Sequence, residues 1–322
     1  MKRLFTALFI FSLIGCLSLQ AQNDVKMEPV NPEAKQKEIK TDKSDNDTVV
    51  VNVITEQFGY WNDIKPTIIL QYGWGTPSLY DEVHKDYQNP FIGEFVPKQW
   101  GQVSLGTTSQ KSEYPRYNVS GYDFNGVFLK YMGPNQYIEQ NYDADKYNLK
   151  ILQFGFQNLN GYGYQAPNSW FGIYLYTGSG INWSDVSYTI DEGGDSSSNE
   201  ALNTFDGSMR FGQTWESGLR FSLIGPLNAF AGYEENIIFP RHLFWKWAVS
   251  AVIEGAGINL LGAFSRWIMS KSPVAGPIVD WVLKTGAYYV LYQLRIKDMN
   301  WPYETAPPLV ITSWKAGLSF EF

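Results

Sequence analysis

The residues at the end of the chain constrain its fold more than any others. From Leu309 to Phe322, Val310, Thr312, Trp314, Ala316, Leu318, Phe320 and Phe322 share one parity, while Leu309, Ile311, Ser313, Lys315, Gly317, Ser319 and Glu321 share the other. Successive side chains of a strand point to opposite faces, so this stretch has one apolar face and one that turns small and polar towards its end. A strand buried on both faces would not place Lys315 and Glu321 among its inward neighbours. A half-solvated soluble strand accounts for the alternation but gives no reason to finish on an aromatic.

An amphipathic terminal strand ending in Phe resembles the C-terminal signature of bacterial outer-membrane β-barrels, carried here by Trp314, Leu318, Phe320 and Phe322. The resemblance implies a membrane-assembly signal in those residues and a place in the cell outer membrane, with outer-membrane lipid as the surround. It covers one strand and matches no specific family.

The chain holds 12 Trp, 21 Tyr and 20 Phe in 322 residues, an excess that aromatic girdles at two membrane interfaces would use. Mean hydropathy is nonetheless slightly negative, which excludes a bundle of transmembrane helices. A net charge of −7 argues against a nucleic-acid partner, because phosphate binding needs a basic surface. Cys16 is the one cysteine, so the body has no disulfide to form and no cysteine cluster for a metal. No cofactor is expected.

Lys2 and Arg3 precede an apolar run from Leu4 to Leu19, which makes residues 1–21 a secretory signal peptide. Leu13-Ile14-Gly15-Cys16 resembles a lipobox, which would make Cys16 a lipidated N-terminus. Cleavage near Ala21 would instead discard it, and apolar Leu17-Ser18-Leu19 beyond the cysteine favours that outcome. Residues 22–66 are expected to form a disordered periplasmic segment, charged and nearly free of aromatics as far as Asp47. Thr48 to Ile54 interrupts it and reads as a short strand or packing segment.

Residues 67–322 carry the barrel pattern. Ile68, Leu70, Tyr72 and Trp74 alternate with Ile69, Gln71 and Gly73; Leu152, Phe154 and Phe156 alternate with Gln153, Gly155 and Gln157. Similar spans cover 99–109, 121–131 (ambiguous in phase), 169–179, 208–223 and 229–239. With the terminal strand they make an all-β transmembrane barrel of about eight antiparallel strands, or ten if 49–54 or 181–190 pairs in. Counting back from Phe322, connections 77–98, 132–147, 180–207 and 240–308 fall on the external side, and shorter ones at 110–118, 159–168 and 224–228 on the periplasmic side. That asymmetry belongs to membrane barrels and not to soluble sandwiches.

The connection before the last strand reads as an inserted α-helical hairpin, 241–297. Ser272-Pro273 and Gly276-Pro277 separate its helices, and Pro is tolerated in a first turn. Both are apolar nearly all round, which means burial in lipid or protein. A contact face at Trp245, Leu261, Trp281 and Val290 is expected against lipid, barrel or partner. Asp280, Lys284 and Arg295 are expected to face headgroups or solvent, and the small residues Ala251, Gly255, Ala256, Gly257 and Gly262 to admit another backbone.

Arg210, Glu216, Arg220, Glu234 and Lys315 fall on the inward phase and form the expected lumen charge network, with Arg220 and Glu234 paired across the turn at Gly225-Pro226. His84 and His242 are the only histidines, and no Gly-x-Ser-x-Gly turn accompanies them. His242, beside Phe244 and Trp245, reads as an interfacial residue. The functional expectation is therefore a non-enzymatic structural or interaction protein whose hairpin meets lipid or another envelope protein. A transporter or porin for small or apolar molecules is the alternative, and a lipid-modifying enzyme centred on His242 a third.

Overall fold

Alternation of the kind seen at the C-terminus recurs in eight long strands, and their pairing closes a ring. The computed structural model describes residues 64–79, 94–95, 98–133, 146–166, 171–190 and 202–322. The signal peptide, Cys16, most of segment 22–66, His84 and the acidic loop near 191–199 lie outside the described residues. The strands are β1 (Ile64–Leu79), β2 (Lys98–Tyr114), β3 (Val119–Gly133), β4 (Lys146–Gln165), β5 (Gly172–Ile190), β6 (Arg210–Ile224), β7 (Leu227–Ile238) and β8 (Leu309–Glu321). Each pairs antiparallel with the next, and β8 pairs with β1 from Thr67↔Glu321 to Leu79↔Leu309, which seals the barrel. A two-residue strand, Glu94–Phe95, lies parallel to the start of β4.

The strands run further than the alternation alone suggests. β1 starts at Ile64, three residues inside the segment read as disordered, and 181–190 continues β5 instead of adding a strand. The connections at one end are 115–118, 166–171 and 225–226; those at the other are 80–97, 134–145, 191–209 and 239–308. The long-and-short asymmetry is thus preserved. Gly225, at φ 54°, takes the left-handed conformation that the tightest turn requires.

Polarity is inverted relative to a water-soluble protein. Leu70, Leu105, Leu129, Phe154 and Trp314 stand exposed on the outside, while Gln71, Gln102, Lys130, Gln153 and Lys315 are buried in the lumen. Each large apolar side chain left in water forgoes about 1.5–3 kcal/mol, so this wall fits hydrocarbon.

Two helices follow β7: α1 (Phe244–Lys271) and α2 (Gly276–Lys297). Pro277 enters the first turn of α2, where its missing N–H leaves no hydrogen bond unmade. Both lie outside the barrel wall, with α2 against β4, β5 and β6 and α1 packed chiefly on α2.

Candidate functional site

β3, β6, β7 and β8 bring Lys130, Glu216, Glu234 and Lys315 to one level of the lumen. Lys315 Nζ lies 3.0 Å from Glu234 Oε2 and also bonds Glu216, while Lys130 donates to the other oxygen of Glu234. The Lys130 ammonium sits 3.9 Å from the centroid of the Trp100 ring. That ring crowds Gly73, where a Cβ would collide with it. Two cations and two anions, all buried, neutralise each other. Desolvation offsets most of their attraction, yet stripping one partner would leave a buried unpaired charge at about 3–5 kcal/mol.

Arg220 does not join this cluster. It bonds Glu321, donates to Asn228 Oδ1 at 2.8 Å, and lies over the rings of Tyr122 and Tyr174 at 4.6 and 4.9 Å. The expected Arg220–Glu234 pair is therefore absent. Arg220 stands opposite Phe230, not near Gly232, because the turn is tight and the register shifts between Ser222 and Ile224. Arg210, at the long-loop end opposite Ser184, joins neither group, and its Nε is buried without a hydrogen-bond partner among the described residues.

Apolar residues fill the lumen on either side of the charges. Phe95, Trp100, Tyr147, Leu202 and Phe205 pack at the long-loop end, and Ile69, Phe124, Leu159, Tyr176 and Phe230 at the short-turn end. Between them remains a cavity of about 10 Å³, beside Gln102, Lys130, Glu216 and Glu234. That is room for about one water molecule.

The hairpin meets the wall through polar contacts over much of its length and, near the long-loop end, through Tyr292 and Ile296 packed with Phe211, Trp215 and Ile237. From the short-turn end upwards, Tyr164 donates to the Val274 carbonyl at 2.5 Å, Lys284 to Asn160 at 3.4 Å, and the Thr285 and Ser217 hydroxyls lie 2.7 Å apart. The Tyr292 and Thr312 hydroxyls are 3.1 Å apart. Near the long-loop end Arg295 donates to Glu254 at 2.5 Å, to Ser250 at 3.0 Å and to the Met299 carbonyl at 2.7 Å, with Trp215 and Phe239 beneath its guanidinium. Glu235 is also buried on the outer wall here, with one carboxylate oxygen unpartnered among the described residues.

These contacts reverse the expected orientation of the charged stripe. Asp280 and Arg295 are buried, and Lys284 reaches Asp280 at 2.9 Å and the wall, so none faces headgroups or solvent. Asn160, Ser217 and Thr312 give the wall a polar strip, and the charged side of α2 turns towards it. Of the expected contact face, Trp245 and Val290 are exposed, while Leu261 and Trp281 are half-buried. Gly255 and Gly257 have nothing near their would-be Cβ, so the small residues there admit no backbone; Gly262 alone of that set is buried.

His242 packs its ring against Phe211 and Phe244, with centroids 5.2 and 6.1 Å away. The ring keeps an exposed edge, and the partial desolvation imposed on its packed side lowers its pKa below the ordinary 6.5. Trp314, Leu318 and Phe322 point outwards, exposed, and Phe320 is half-buried. Sequence reasoning missed Lys130, Glu321 as a partner of Arg220, and Glu254. Lys130 sits in the strand whose phase was ambiguous, and its inward direction follows from Leu129 and Tyr131 pointing out.

Inverted polarity and a closed antiparallel ring define a β-barrel of the membrane-spanning class. No protein-family model matches the sequence, and no curated protein matches it. Among solved structures, Neisserial surface protein A is similar at 12% identity over 80% of this chain and 97% of its own, with a TM-score of 0.33. Ail, the attachment invasion locus protein of Yersinia pestis, is similar at 8% identity over 80% of this chain and 99% of its own, with a TM-score of 0.30. At these scores the superpositions are loose, and neither protein speaks for this chain's role.

Proposed function

We propose that this chain is an outer-membrane β-barrel protein with a structural or interaction role, whose helical hairpin supplies a contact surface for lipid or another envelope protein. The filled lumen carries this reading. A barrel of eight strands is narrow enough for side chains to occupy it, and here Lys130, Glu216, Glu234 and Lys315 cross-link its middle between two apolar layers. Such an interior supports the wall and favours neither a porin nor a transporter. His242 touches aromatic rings, as an interfacial residue does, which supports a non-enzymatic role.

The test is single-channel recording on protein that shows heat-modifiable gel migration and fractionates with the outer membrane. No conductance above the lipid background is expected. Discrete ohmic steps would overturn the proposal, and a lipid-modifying activity lost in His242→Ala would replace it with the enzymatic alternative.

A further inference from the structure

The hairpin buries three of its charged side chains and leaves many of its large apolar ones bare. In α1 the buried residues are Ser250, Glu254, Gly262, Ser265 and Met269, whereas Trp245, Val252, Leu260 and Trp267 are 78, 71, 72 and 60% exposed. α2 follows in part: it buries Asp280 and Arg295, with Tyr292 and Ile296 packed on the wall near the long-loop end, and exposes Ile278, Val282 and Val290. A helix pair folding in water would turn these faces the other way. Helices in lipid associate through small and polar residues, because hydrocarbon is as apolar as leucine.

We propose that α1 and α2 cross the entire outer membrane beside the barrel as a transmembrane pair, with lipid acyl chains against their outer face. The inference rests on the outer-membrane reading above and goes further, from a contact surface to a full crossing. Length permits it: α1 has 28 residues, about 42 Å at about 1.5 Å per residue, against a hydrocarbon core of about 30 Å. Its composition also passes for a membrane span. Anchoring fixes the height. Val274, between the helices, accepts a hydrogen bond from Tyr164 one residue before β4 ends, so the bend lies level with the short turns. The opposite end of the hairpin rises from the long-loop rim.

Lipid is favoured over a protein as occupant because the hairpin continues the barrel's own aromatic belt. Phe154 on the bare wall stacks on Trp183 with centroids 5.6 Å apart, Trp183 meets Phe211 at 5.8 Å, and Phe211 meets Trp247 of α1 at 5.0 Å. Such girdles mark a membrane interface. Between Trp247 and Phe264, Asn259 is the one exposed polar side chain of α1; Arg266 lies close enough to the helix end to reach headgroups.

Single cysteines and a membrane-impermeant maleimide test this, since the body of the chain has no cysteine of its own. Glu304→Cys marks the long-loop side, Arg116→Cys a short turn, Ser272→Cys the bend and Leu260→Cys the outer face. In intact cells Glu304→Cys should label, and Arg116→Cys and Ser272→Cys should stay at background until the outer membrane is permeabilised. Leu260→Cys should remain unlabelled in both, and in purified protein in phospholipid vesicles, until denaturation. Heat-modifiable migration checks each variant, with Ala256→Cys replacing Leu260→Cys should that fail to fold. Labelling of Ser272→Cys in intact cells, with Arg116→Cys protected, overturns the crossing and leaves the barrel standing. Labelling of Arg116→Cys in intact cells overturns the barrel's orientation instead. A Leu260→Cys that is shielded in cells but open in vesicles shows a protein occupant and sinks the lipid claim.

Discussion

Arg295 of α2 and Glu254 of α1 form a buried ion pair 2.5 Å long that clasps the helices together near the long-loop rim. Ser250 and the Met299 carbonyl complete the guanidinium's partners. Arg295→Met alone, or Glu254→Leu alone, strands a buried charge and should destabilise the hairpin by about 3–5 kcal/mol. The double replacement should recover most of that loss. Limited proteolysis of the hairpin and a double-mutant cycle on its unfolding midpoint check this; additive losses would show that the two residues are uncoupled.

Glu234 bonds two lysines where Glu216 bonds one. Glu234→Ala should therefore lower the denaturant midpoint more than Glu216→Ala, with a loss of about 3–5 kcal/mol for the former. Adding Lys130→Met to Glu234→Ala should restore part of it. Equal midpoints for the two single variants would mean that the cluster does not act as a unit.

Phe322 is 71% exposed, and its backbone N–H donates to the Pro66 carbonyl at 2.9 Å. Phe322→Ala keeps that bond, and even losing it would cost only about 0.5–1.5 kcal/mol. In-vitro stability should thus barely change, whereas outer-membrane levels in cells should fall sharply. Matching levels of wild type and variant would remove the assembly role expected of this residue.

His242 supplies a pH prediction. Its pKa lies below 6.5 in the folded protein because partial desolvation against Phe211 and Phe244 penalises the imidazolium. The unfolded chain then binds the proton more readily, so the contribution to stability is present above the ordinary pKa and fades as pH falls through the folded value. Between pH 7.5 and 5 the wild type should lose slightly more stability than His242→Phe. Identical pH profiles would mean that the ring is solvated.

The strand phases were legible because membrane strands sort apolar from polar side chains every second residue, as Leu70, Gln71 and Tyr72 show. Helix limits were legible from Pro273 and Pro277. Register was not. A two-residue error at one turn moved Arg220 from Phe230 to Gly232 and proposed the wrong partner, since alternation fixes faces but not which residues stand opposite. The charged stripe of α2 was turned the wrong way for another reason. Asp280 and Arg295 suggest water or headgroups only if the wall is apolar, and Asn160, Ser217 and Thr312, distant in sequence, make it polar.

A bare eight-stranded ring looks much the same from every direction in the plane of the bilayer; this barrel with its hairpin does not. Phe211 and Trp215 on one flank lie beneath helices, while among the described residues nothing covers Leu70, Leu105 and Leu129 on the other. Neighbours diffusing laterally would therefore encounter a body with a front and a back. A complex built on such a shape could be directional without any contact above or below the membrane.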